Sequence, residues 1–144
     1  MMKKIITHSA KETIAYGKKI AVGFRGGEVL ALSGNLGAGK TTLIKGIAKG
    51  LGIKKPVTSP TFIIMNLYKL KTKNQKLKQL VHIDCYRLHS AKDILGIGAE
   101  EYFGRPDTVV VIEWPERIKK ILPKKTIRIR ISTAGEKKRV FILQ

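Results

Sequence analysis

Gly34-Asn35-Leu36-Gly37-Ala38-Gly39-Lys40-Thr41, with Thr42 behind it, is the stretch that decides how this chain folds. It fills every fixed position of the pattern G-x-x-x-x-G-K-[ST]. Just upstream, Glu28-Val29-Leu30-Ala31-Leu32-Ser33 reads as a short buried strand. Downstream, Leu43, Ile44, Ile47, Ala48 and Leu51 recur at the spacing of a buried helical stripe, which predicts a helix over Thr41–Leu51. Glycines at 34, 37 and 39 let the backbone curl so that successive N–H groups converge. A helix start adds unsatisfied N–H groups and the positive end of its dipole.

Strand, glycine-rich loop and helix in that order cradle a polyphosphate. The reading is therefore a site for a nucleoside triphosphate with magnesium. Its candidate contacts are Gly34, Leu36, Gly37, Ala38, Gly39, Lys40, Thr41 and Thr42. Lys40 supplies the point charge for the β- and γ-phosphates, and the Thr41 hydroxyl is suited to Mg²⁺.

Two acids end apolar runs. Leu80-Val81-His82-Ile83-Asp84 is one run, and Thr108-Val109-Val110-Val111-Ile112-Glu113 is the other. The second is β-branched and uninterrupted, as a central parallel strand should be. Acids at the carboxyl ends of such strands lie on the ligand edge of an α/β sheet. Glu113 is assigned to the metal, and Asp84 to the attacking water or to metal-bound water. The catalytic candidates are thus Lys40, Asp84 and Glu113. His82 reads as a packed or surface histidine rather than a ligand. Trp114 reads as a core residue beside the acid, and so as a reporter.

The remaining segments fit around these. Ser9 and Glu12 have capping-box spacing, opening a helix that Gly23, Gly26 and Gly27 end. No earlier strand is long enough to make a full nucleotide-binding half, which places the loop early in a compact fold. Gly50 and Gly52 are expected to stop the helix after the loop in a left-handed conformation. Ser59-Pro60-Thr61 suits either a strand-entry turn or a loop sensing the γ-phosphate, and composition favours the turn. A lysine-rich hairpin joins the strand Phe62–Leu70 to the run ending at Asp84. Short helices are expected from Ser90, at Glu100–Phe103 and over Glu116–Leu122. Alternating strands around Thr133–Glu136 make a terminal hairpin, with Arg128 and Arg130 facing solvent. The expected class is α/β: a three-layer nucleotide-hydrolase fold, its central sheet mostly parallel with an antiparallel C-terminal hairpin, as a single domain over residues 1–144.

Composition narrows the setting. Cys85 is the only cysteine, so neither a disulfide framework nor a zinc site is expected. No apolar run reaches the roughly 20 residues of a membrane span, and the Met1–His8 start lacks a signal-peptide core. A reduced, cytoplasmic setting follows. Lys and Arg total 29 against 10 acids, a formal charge of +19. That favours polyanionic partners, but scattered surface lysines account for it as well.

Taken together, Gly34–Thr42, Ser59-Pro60-Thr61-Phe62, His82–Leu88 and Ile112-Glu113-Trp114-Pro115 resemble one family, the bacterial ATPase of tRNA threonylcarbamoyladenosine biosynthesis (TsaE, formerly YjeE). The resemblance runs from about Ser9 to Phe141. It implies a slow, magnesium-dependent ATPase working with TsaD and TsaB on the adenosine next to the tRNA anticodon. It also implies that Thr41 and Glu113 hold magnesium, that Asp84 is an active-site residue, and that Ser59, Pro60 and Thr61 form a switch rather than a plain turn. An adenine pocket near Ala10 and Gly135 is implied by position only. Asn35 and Cys85 depart from the family's commoner Asp and Leu. The lysine excess is not a family feature, so direct tRNA contact stays open. The competing readings are a small-molecule kinase, for which no lid insertion is evident, and a basic RNA-binding protein with a regulatory nucleotide site.

Overall fold

The computed structural model describes residues 2–35, 37–57, 65–71 and 76–144. Leu36, Ser59, Pro60 and Thr61 therefore lie outside the described residues, as does the start of the strand expected from Phe62. Among the described residues, seven strands form one sheet: β1 (Lys3–Thr7), β2 (Val29–Ser33), β3 (Met65–Lys69), β4 (Gln79–Asp84), β5 (Thr108–Glu113), β6 (Ile127–Thr133) and β7 (Arg139–Leu143). Their order is β1-β7-β6-β2-β5-β4-β3. The four central strands β6, β2, β5 and β4 run parallel. β1, β7 and β3 join antiparallel at the edges.

The helices α1 (Ala10–Val22) and α2 (Lys40–Gly50) cover one face. There Leu30, Leu32, Val109, Val111, Ile129 and Ile131 form a common core with Leu43, Ile44 and Ile47. The short helix α3 (Ala91–Gly96) and the 3₁₀ segments Ala99–Tyr102 and Pro115–Ile121 cover the other, over Val29, Val81, Ile83, Val110 and Ile112. All six residues of β5 are buried, in keeping with the unbroken aliphatic run at 109–112 between Thr108 and Glu113. β6 instead alternates: Ile129 and Ile131 point to the core while Arg128 and Arg130 are exposed.

α1 and α2 meet backbone to backbone. A Cβ at Gly17 would lie 2.6 Å from the Leu43 carbonyl oxygen, and one at Gly46 would strike the Ile14 carbonyl. This crossing brings the start of α1 beside the start of α2.

Several expectations need correction. β1 precedes the first helix and was not named as a strand in the sequence reading; five residues long and antiparallel at the edge, it adds no nucleotide-binding half. With two lysines in five residues it has the character of a charged edge strand, which hides it from an apolar-run search. Gly50 is still helical and packs against Ala21; Gly52, at φ +81°, takes the left-handed turn alone. The expected helix over Glu116–Leu122 is a 3₁₀ segment from Pro115, kinked at Ile118.

Candidate active site

β2 delivers the chain into the loop, where Gly34, Gly37 and Gly39 hold φ of +154°, +80° and +107°. At Gly34 the choice is doubly forced, because a Cβ would also sit 2.5 Å from the Ile131 carbonyl oxygen. α2 begins at Lys40 with Gly39 as its N-cap, so no side chain caps its first turn, and that turn holds no acid. The amides and the positive dipole end of α2 are left to whatever enters the cleft.

That cleft has a volume of about 620 Å³. The loop and α2 contribute Gly37, Gly39, Lys40, Thr41 and Thr42 to its wall. Asp84 and Glu113 face them. These two are register partners at the carboxyl ends of the parallel strands β4 and β5. A third side comes from Ala10, Lys11 and Thr13 on α1, and a fourth from Glu136, Lys137 and Arg139 of the terminal hairpin. The Thr7 and Thr13 hydroxyls bond at 2.7 Å, tying β1 to the first turn of α1 and fixing Ala10 at the rim.

Of the residues expected to touch ligand, the structure gathers Ala10, Gly37, Gly39, Lys40, Thr41, Thr42, Asp84 and Glu113 around this one space. Gly34, Ala38 and Gly135 are not part of its lining. Gly34 and Ala38 shape the loop from behind, Ala38 being buried and its amide bonded to the Asn35 carbonyl at 3.0 Å. At the hairpin, the neighbours of Gly135 reach the cleft in its place.

The charges are tightly arranged. Lys40 is only 5% exposed; its ammonium donates to the Gly34 carbonyl and lies 3.8 Å from the centre of the Trp114 ring. Burial pulls its pKa down, opposed by the negative charges of Glu113, Glu116 and Asp84. Burial also raises the Asp84 carboxyl, helped by the Glu113 charge and opposed by the Tyr86 N–H that Asp84 accepts at 2.9 Å. Glu113 is 4% exposed, and its Oε2 is paired with His82 Nε2 at 2.8 Å. Cys85, buried next to these acids, has its thiol pushed up to about 12 by burial first and the acids second, so it is an inert packing residue.

Three participants escaped the sequence reading. His82 is packed, as expected, but packed onto Glu113. Its place two residues before Asp84 on one strand, hence on the same face, was the available signal. Tyr86 packs on Trp114 with ring centres 4.9 Å apart and the rings tilted by 50°, at the cleft wall. Arg139 bonds the hairpin carbonyls of Glu136 and Lys138 through Nη1 and the Gly37 carbonyl through Nη2, at 3.4 Å for the last. It latches the hairpin to the loop, a link 102 residues long in sequence. Trp114 is the one non-glycine among the described residues with a positive φ, +56°. Strain of that kind concentrates at functional sites.

No cluster of three or more His, Cys, Asp or Glu among the described residues forms a metal cage. Thr41 and two carboxylates are an incomplete set of hard oxygen donors. That suits magnesium, which keeps waters and completes its shell with substrate phosphates.

The family model of the threonylcarbamoyl adenosine biosynthesis protein TsaE matches residues 7–141. The chain belongs to the TsaE family. Among its relatives, the tRNA threonylcarbamoyladenosine biosynthesis protein TsaE of Bacillus subtilis is 41% identical over 133 residues, covering 92% of this chain and 79% of the relative. The protein of the same name from Treponema pallidum is 37% identical, covering 92% and 93%. The crystal structure of YdiB from Bacillus subtilis superposes with a TM-score of 0.80 at 35% identity, over 99% of this chain and 84% of that one. Among the described residues of this TsaE family member, no helix is long and apolar enough to cross a membrane.

Proposed function

We propose that this TsaE family member is a magnesium-dependent ATP hydrolase serving tRNA threonylcarbamoyladenosine biosynthesis, working as a single domain in the cytoplasm with TsaB and TsaD. The observation that carries the reading is the juxtaposition across one cleft. An uncapped helix start and Lys40 stand on one side; two carboxylates from neighbouring strand ends stand on the other. A triphosphate is the ligand that uses both sides, because its charge meets the amides and the ammonium while its terminal group faces the acids.

In this reading the loop amides and Lys40 bind the β- and γ-phosphates and neutralise charge as it shifts toward the β–γ bridging oxygen. The Thr41 hydroxyl and the Glu113 carboxylate are the groups that would hold magnesium. When bound, magnesium supplies positive charge against the phosphate oxygens. Asp84, its carboxyl raised by burial, orients the attacking water and accepts its proton as the γ-phosphorus–oxygen bond to the leaving diphosphate breaks. Tyr86 and Trp114 wall the cleft beside these groups. The rim formed by Ala10, Lys11 and the hairpin is the side left for the nucleoside.

Phosphate release from ATP by the purified protein, with and without Mg²⁺ and with TsaB and TsaD added, tests this. The expected result is slow release that requires Mg²⁺, rises with the two partners and delivers phosphate to water. ATP left intact in the presence of both partners, or phosphate delivered to a small-molecule acceptor, sinks it. Trp114 emission should change on adding Mg-ATP, because Lys40 lies on the indole and phosphate competes for that ammonium.

A further inference from the structure

His82 sits where a core residue should be aliphatic. It is 1% exposed, on β4, in register with Val111 of β5. Burying an imidazole there costs free energy unless its nitrogens find partners. One does: Nε2 meets Glu113 Oε2 at 2.8 Å. Nδ1 is buried with no hydrogen-bond partner among the described residues.

That asymmetry selects the tautomer. A proton on Nδ1 would orphan a buried N–H donor and turn the Nε2 lone pair toward a carboxylate oxygen. A proton on Nε2 gives the carboxylate a donor and leaves only a lone pair unused. The ring therefore donates to Glu113 through Nε2. Glu113 gains a fixed orientation: with Oε2 tied inward, the carboxylate cannot rotate freely about its last bond.

We propose that His82 is a positioning residue for Glu113, pinning Oε2 so that the carboxylate meets a magnesium ion in one orientation. This rests on the reading of Glu113 as a magnesium-holding group. Outer-layer hydrogen bonds of this kind set ligand orientation, and their loss typically costs about 10- to 100-fold in metal affinity or activity.

The test compares His82→Asn, whose amide is too short to reach Glu113, with His82→Gln, which carries an N–H donor to about the Nε2 position. Glu113→Gln is the reference. Calorimetric binding of a non-hydrolysable ATP analogue is measured across a Mg²⁺ titration and in EDTA, so no turnover is needed. The expected outcome is that His82→Asn needs about tenfold more Mg²⁺ for half-maximal enhancement of binding. Its affinity in EDTA stays within about twofold of the parent, and His82→Gln recovers most of the Mg²⁺ response. A His82→Asn protein with the parental Mg²⁺ requirement, or with equal losses in EDTA and in Mg²⁺, overturns the proposal in favour of simple packing. If the Asn variant does not fold, His82→Leu, apolar and close in volume, takes its place in the same comparison. The reference separates the two ideas. If Glu113→Gln shifts the Mg²⁺ requirement and the His82 variants do not, only His82 fails. If Glu113→Gln shifts nothing, the metal reading fails and takes His82 with it.

Discussion

The two walls of the cleft are built on opposite plans. The loop wall comes from one short stretch between Gly37 and Thr42, and most of what it offers is backbone: glycines at positive φ and an uncapped helix start. The acid wall comes from side chains on separate strands. Glu113 and His82 are 31 residues apart, and Asp84 and Glu113 become neighbours only because β4 and β5 pair in parallel register. A backbone wall tolerates side-chain change and fails when its scaffold moves. A side-chain wall keeps its scaffold and fails when a charge is removed.

That contrast can be broken in order of effect. Glu113→Ala should lower ATP hydrolysis by about 10²- to 10³-fold, the order expected when several kcal/mol of metal-linked charge stabilisation are lost, while equilibrium dialysis shows nucleotide still bound. Hydrolysis at the parental rate would mean that the acid wall has been misassigned. Lys40→Ala should weaken ATP binding about 10- to 100-fold, the scale of a lost charge-assisted hydrogen bond, because Lys40 is the one side-chain cation in the loop wall. Binding unchanged by this substitution would leave the backbone to do all the work there.

Gly46→Ala probes the scaffold. Its Cβ would strike backbone atoms of Ile14, which no rotamer change relieves, so urea melts should show a loss of about 1–3 kcal/mol. Nucleotide affinity should fall as well, since the α1–α2 crossing sets the position of the loop wall. A neutral result would show that the helices can separate without disturbing the site.

Asp84→Asn should have the smallest effect on stability, and of opposite sign. The folded-state pKa of Asp84 is raised by burial, so the folded protein binds that proton more tightly than the unfolded chain. Stability from this group is present below the ordinary carboxylate range and is lost as pH rises through the raised value. Asn removes the ionisation and keeps an oxygen for the Tyr86 N–H. The variant should therefore melt slightly above the parent at pH 7, and the gain should disappear below about pH 4. A variant less stable at pH 7 would reveal that the charge of Asp84 is compensated better than its burial implies.

How much of this was legible in the chain depended on sequence distance. The loop, its flanking strand and helix, β5 and the two acids stood out because each is a run of adjacent residues with its own periodicity. The family followed from four such runs in order. β1 was missed because an edge strand can be short and charged; the end of α2 was misjudged because the close packing of Gly50 on Ala21 of α1 is a contact between helices, which local sequence does not show.

The sequence alone located a glycine-rich loop leading into α2 and two acids at the ends of buried strands, because those features need only local geometry and period. Tertiary structure alone decided that Asp84 lies beside Glu113, that His82 holds Glu113, that Arg139 latches the hairpin to Gly37, and that α1 closes the rim. Each depends on which strand pairs with which and on how closely two glycine-faced helices approach. Pairing and approach are settled by burying the whole core at once, so no single stretch of residues carries them.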